Sequence, residues 1–174
     1  AQGYLGQYRL TDGGNGKVDV SEVRRFGNFS GEGEIEALLV DDEAGTLYAA
    51  DEGYGIRKYH ADPDAPDAGK EIASFGHELY QGDREGMAVY ATGPKTGYLI
   101  SSNQLEGNSE YLIYDRQAPH NLLGKVRLGA DATDGLEVTN ARLPGFRNGF
   151  LVVMNSKDRN FLVADWRDIR RAIR

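Results

Sequence analysis

Glu85-Gly86-Met87-Ala88-Val89 lies near the middle of the chain and recurs on both sides of it. Upstream the pattern reads Glu36-Ala37-Leu38-Leu39-Val40, and downstream Asp134-Gly135-Leu136-Glu137-Val138. Each copy is an acidic residue, a small residue, an apolar one, any residue and then Val. The copies start 49 residues apart in both steps. Self-similarity with a period near ~50 belongs to propeller blades, whereas helical repeats would carry a 3.6-residue apolar rhythm.

The residues after each copy continue in parallel. A turn (Asp42-Glu43-Ala44-Gly45, Gly93-Pro94-Lys95-Thr96 or Pro144-Gly145-Phe146-Arg147-Asn148) leads into a second apolar strand. The pattern predicts these second strands at 46–50, 97–101 and 149–153, and third strands at 56–59, 111–114 and 161–164. A fourth is readable in the middle repeat, at 122–128. Four antiparallel strands per ~50 residues make one blade.

Residues 1–35 read as the end of an earlier blade, with strands over 4–10 and 18–23. The turn Asp12-Gly13-Gly14-Asn15-Gly16 lacks the terminal Glu of a calcium loop and reads as a plain hairpin. Residues 165–174 predict a short helix with Trp166, Ile169 and Ile173 on one face. The expected fold is therefore all-β, a partial β-propeller of four-stranded antiparallel blades over 1–174. It holds about three and a half blades: the end of one in 1–35, then 36–84, 85–133 and 134–174. A propeller ring takes ~4 or more blades to close, so the remaining blades are expected from an N-terminal region or a second chain.

Composition narrows the chemistry. A net charge of −7 argues against nucleic acid as the partner, because phosphate backbones select basic faces. Without cysteine there is neither a disulfide framework nor a thiol nucleophile. No apolar run of ~18 residues is present to span a membrane. Ala1 opens directly into polar, strand-like sequence, so no signal peptide is read. Gly-rich phosphate loops, nucleophile elbows and serine-triad patterns are absent from the sequence.

In a propeller the first strand of every blade lines the central channel. Glu36, Glu85 and Asp134 are thus expected around one axis. Carboxylates brought together repel, and either raise one another's pKa or recruit a cation. Calcium accepts several carboxylate oxygens in irregular geometry, while the lack of Cys and of a histidine pair argues against zinc or copper. Aligning the second strands places Glu52, Asn103 and Asn155 at one equivalent position. Asp83, two residues before Glu85, faces the same side on an extended strand, and Asp51 and Asp131 lie close by. Asp41, Asp42, Glu43, Asp62, Asp64 and Asp67 read as solvated turn residues, and His60, His77 and His120 as surface or capping groups.

These residues resemble the β-propeller phytases, six-bladed calcium-dependent phosphatases acting on inositol hexakisphosphate. Val40-Asp41-Asp42-Glu43-Ala44-Gly45-Thr46-Leu47-Tyr48 resembles a family signature, and Asp83-Arg84-Glu85-Gly86-Met87 the family's Asp-x-Glu-Gly-Leu motif. Gly97-Tyr98-Leu99-Ile100-Ser101-Ser102, Gly107-Asn108-Ser109, Tyr111-Leu112-Ile113-Tyr114 and Thr133-Asp134-Gly135-Leu136 follow in family order. The resemblance implies that Glu36, Glu52, Asp83 and Glu85 are catalytic, holding calcium or orienting the attacking water. It implies Asp134 as a further metal ligand, and Gln104 and Asn103 as substrate-binding residues. The implied function is a secreted or periplasmic, calcium-dependent phytase-like phosphomonoesterase, working without a covalent intermediate. The alternatives are a non-catalytic calcium-binding propeller module for a ligand or protein partner, and a lactonase-type propeller hydrolase.

Overall fold

The computed structural model describes residues 3–173; Ala1, in the first expected segment, and Arg174, at the end of the expected helix, lie outside them. The chain opens with the hairpin β1 (Leu5–Gly14) and β2 (Lys17–Phe26), where Asp12 Oδ1 caps the turn by accepting from the Gly14 N–H at 2.8 Å. The next sheet is β3 (Leu38–Asp41), β4 (Thr46–Asp51), β5 (Gly55–His60) and β6 (Ala73–Phe75), paired in sequence order. A second four-stranded sheet follows the same order: β7 (Met87–Gly93), β8 (Thr96–Asn103), β9 (Glu110–Asp115) and β10 (Leu122–Arg127). The last sheet has three strands: β11 (Leu136–Thr139), β12 (Phe150–Asn155) and β13 (Asn160–Asp165).

All strand pairs are antiparallel, and the first strands begin at Leu38, Met87 and Leu136, again 49 residues apart. This all-β set of stacked antiparallel sheets is the propeller-blade arrangement that the repeat predicts. Strand β6, three residues long after the 61–72 loop, is one that the sequence pattern did not reveal.

The core lies between sheets, not within them. One apolar cluster joins Ala37, Tyr48, Ala50, Ile56 and Phe75 of the first full sheet to Leu99, Leu112 and Tyr114 of the second. Another joins Ala88, Tyr90, Ile100, Tyr111, Ile113 and Val126 to Val138, Leu151, Val153, Trp166 and Ile169. Successive residues of a strand point to opposite faces, so Tyr111 and Ile113 serve one interface while Leu112 and Tyr114 serve the other. The middle sheet is covered on both faces, which explains its unbroken apolar run at 111–114. Each fully buried Leu, Ile or Val contributes about 1.5–3 kcal/mol.

The two outer faces of the stack are less covered. Leu38 and Val40 at one end, and Phe161 and Val163 at the other, are exposed. At the C-terminus Asp165 caps helix α1 (Trp166–Ala172) by accepting from the Arg167 N–H, and Trp166 stacks on Tyr90 at 3.9 Å.

Asp41 corrects the expectation of a solvated turn acid. It is buried at the end of β3, gripped by two guanidinium N–H groups of Arg116 from the neighbouring sheet. Arg116 also donates to the Gly93 and Thr96 carbonyls at 2.9 and 3.1 Å. His120 is likewise buried, accepting from Lys58 through Nε2 at 3.1 Å while Nδ1 faces the Asp115 carbonyl.

Candidate metal centre

Three acids from two sheets meet at the end of the stack opposite the Arg116–Asp41 pair. Glu36 stands two residues before β3, Glu85 two before β7, and Glu52 directly after β4. One carboxylate oxygen from each lies within 4.8 Å of those of the other two. On the other side of Glu85 the last sheet also comes close. A Cβ on Gly86 would stand 2.8 Å from the Asp134 carbonyl oxygen and 3.0 Å from the Leu136 nitrogen. Gly86 is therefore where the backbone of the second four-stranded sheet touches that of the last sheet.

Burial and the mutual repulsion of the carboxylates set the electrostatics of the cluster. Burial first, then a hydrogen bond to Glu36 and the charges of Glu36, Asp134 and Glu52, push the Glu85 carboxyl up to about 8. Glu52 is also raised, by burial first. The Glu34 N–H, donating to Glu52 Oε2 at 2.7 Å, opposes that rise, while the charges of Asp83, Glu36 and Glu34 add to it. Gly33 lets the loop pass over Glu52, since a Cβ there would overlap Glu52 Oε2. Asp83 is exposed and close enough to act on Glu52. Asp134 lies outside the group of three; it accepts from Gln104 Nε2 at 2.6 Å across the sheet boundary and acts on Glu85 through charge.

The second set of equivalent positions needs a one-residue correction. The registers Leu38↔Ala49, Met87↔Ser101 and Leu136↔Val153 make Asp51, not Glu52, the counterpart of Asn103 and Asn155. All three are buried and do the same work. Asp51 Oδ2 accepts from the Ser30 N–H at 2.8 Å, Asn103 Oδ1 from Gln81 and Gly82 at 3.1 and 2.9 Å, and Asn155 Oδ1 from Asp131 at 3.0 Å. Each latches the segment entering a first strand to the end of the second strand, satisfying N–H groups that would otherwise be orphaned. Asn103, which the resemblance implies as a substrate-binding residue, is 0% exposed and serves here as an internal latch. Glu52 instead shares its place with Gln104 and Ser156, whose N–H groups bond the Asp83 and Asp131 carbonyls as Glu52 N–H bonds that of Glu34.

Sequence reasoning missed the Glu34 N–H, Gly33 and the buried Arg84; only the Asp-x-Glu spacing around Arg84 pointed toward any of them. The three histidines lie away from the cluster, which offers oxygen atoms alone. A hard divalent cation suits such a donor set, and the raised Glu85 shows what its positive charge would relieve.

The chain matches the Phytase family profile across residues 1–152. It is 30% identical over 184 residues to a 3-phytase of Bacillus subtilis (strain 168), covering 97% of this chain and 47% of that protein. The chain therefore spans about half the length of this curated relative. Among solved structures it resembles U3-55K (TM-score 0.48, 17% identity, 76% of this chain and 39% of that one). It resembles the RRP9 WD40 repeats to the same degree (TM-score 0.48, 18% identity, 75% and 38%). With the profile running from the first strands into β12 and over the whole carboxylate cluster, the chain belongs to the phytase family.

Proposed function

We propose that this chain carries the calcium-binding half of a phytase-like phosphomonoesterase that hydrolyses inositol hexakisphosphate. The observation that carries the reading is the convergence of Glu36, Glu52 and Glu85, with oxygens within 4.8 Å, in a chain of the phytase family. Glu36, Glu52 and Glu85 would hold calcium, with Asp83 and Asp134 flanking them. Bound calcium supplies the positive charge that attracts substrate phosphate to an acidic protein and makes water more acidic.

The rest is done by the chain's own residues. The Glu34 N–H orients Glu52, and Gln104 orients Asp134. Placing the acids on two sheets fixes their spacing before any ligand arrives, so little reorganisation is left to the reaction. Asp83, exposed beside the cluster, is the carboxylate left to orient a water and take its proton. The net step joins water oxygen to phosphorus, breaks the bond from phosphorus to the inositol oxygen, and delivers the proton that water gave up to that oxygen, which leaves as an alcohol.

The exposed faces around Leu38 and Val40, and around Phe161 and Val163, are where the remaining blades of the whole protein would pack. The reading also carries export from the cytoplasm, which a cysteine-free composition permits.

The test is phosphate release from phytate with and without millimolar calcium, alongside the mass of the protein in solution. Calcium-dependent release supports the enzyme. Calcium-dependent thermal stabilisation without release, from a protein holding all its blades, would replace it with a calcium-binding module.

A further inference from the structure

Arg84 stands between two acids of the candidate centre, yet it is only 5% exposed. Alternation along an extended segment sends Asp83 and Glu85 to one side and Arg84 to the other, into the boundary between the two four-stranded sheets. There its Nη1 donates to the backbone carbonyl of Glu52. Its guanidinium carbon lies 4.2 Å from the centre of the Tyr80 ring, and Tyr80 in turn accepts from the Tyr114 hydroxyl at 3.0 Å. Arg84 Nε is buried with no hydrogen-bond partner among the described residues.

Burying a guanidinium with one N–H unsatisfied costs free energy that a Leu or Met in the same space would not incur. Packing alone is a poor reason for an arginine here. What the arginine adds is a directional, charge-assisted bond from the residue next to Glu85 to the residue Glu52 itself. Other polar links between these two sheets, among them Arg116 to Asp41 and Glu43, and Lys58 to His120, do not touch the cluster.

We propose that Arg84 is a positioning residue for the metal centre, setting how far Glu85 of one sheet stands from Glu52 of the other. The inference rests on the reading of Glu36, Glu52 and Glu85 as a calcium site. Because the guanidinium turns away from the carboxylates and stacks on Tyr80, its effect runs through position more than through charge.

Calorimetric titration of the full chain with calcium tests this using three variants. Arg84→Met should weaken calcium binding about tenfold or more, and Arg84→Lys, which keeps a donor able to reach the same carbonyl, should recover most of that loss. Leu99→Ala, which opens a cavity in the same interface without touching Arg84 or Glu52, should lower the melting temperature while leaving calcium affinity within about twofold. Unchanged or tighter binding in Arg84→Met would overturn the inference, as would equal weakening by Leu99→Ala. Absence of calcium binding in the unmodified chain would instead remove the metal centre itself, and the role of Arg84 with it.

Discussion

Arg116 grips Asp41 through two N–H···O bonds of 2.5 and 2.7 Å, although 75 residues separate them in the chain. Both side chains are 2% exposed, and the pair joins the two four-stranded sheets at the end opposite the carboxylate cluster. Burial alone would raise the Asp41 carboxyl, but Arg116 and the Ala44 N–H hold it below its ordinary value. Removing one partner strands the other charge in the interior. Arg116→Met is therefore expected to destabilise the fold by about 3–5 kcal/mol, measured by urea unfolding. A loss under about 1 kcal/mol would show that the pair is not what clamps these sheets.

The cluster sets the pH dependence of the metal-free protein. Glu85 rises from 4.5 to about 8 on folding, so the folded state holds a proton that the unfolded chain has released. Its stabilising contribution is complete below about 4.5 and is lost as pH climbs through about 8. The melting temperature without calcium should fall across that window, and Glu85→Gln should flatten the fall. Loading with calcium at pH 7 should expel close to one proton, read by calorimetry in buffers of different ionisation enthalpy.

His120 pulls the other way. Burial first, opposed by the Asp115 carbonyl and reinforced by the Lys58 charge, lowers its pKa from 6.5. The folded state needs a neutral ring so that Nε2 can accept from the Lys58 ammonium while Nδ1–H donates to Asp115. Stability from this group is present above about 6.5 and lost as pH falls below it. His120→Gln should shrink the loss of melting temperature between pH 7 and 5; an unaltered acid limb would show that this contact does not titrate.

Gly33 has φ of +62°, and a Cβ there would overlap Glu52 Oε2. Gly33→Ala is expected to cost about 1–2 kcal/mol in backbone strain and, separately, to displace Glu52 and weaken calcium binding. Gly31→Ala is the control: its φ of +86° brings the same strain, but a Cβ meets nothing within 4 Å among the described residues. Calcium affinity should fall in the first variant and hold in the second.

Much of this was legible in the sequence because the signals are local or periodic. Apolar alternation and turn residues mark strands wherever they fall, and a 49-residue spacing survives folding as the spacing of the first strands. That spacing, with the acid at its head, was sufficient to bring Glu36 and Glu85 to one end of the stack. The Glu52 alignment slipped by one residue for a physical reason: the hairpins formed by the first and second strands differ in length, in their strands as well as their loops. Leu38 pairs 11 residues ahead with Ala49, Met87 14 ahead with Ser101, and Leu136 17 ahead with Val153. A bulge between Ala91 and Gly93 adds to the ambiguity. Counting along the chain cannot recover a register that is set by pairing across it.

The sequence by itself thus determined the repeat, the all-β class, the order of the strands and the acidic heads of the blades, since each depends on neighbours within a few residues or on a fixed period. Tertiary structure alone decided which acids share a site and which are buried. It put Asp51, Asn103 and Asn155 to work as latches, paired Asp41 with Arg116, joined Gln104 to Asp134 and turned Arg84 under Glu52. These outcomes depend on contacts between groups 21 to 75 residues apart. Desolvation and pairing energies at such contacts arise only once the sheets have stacked.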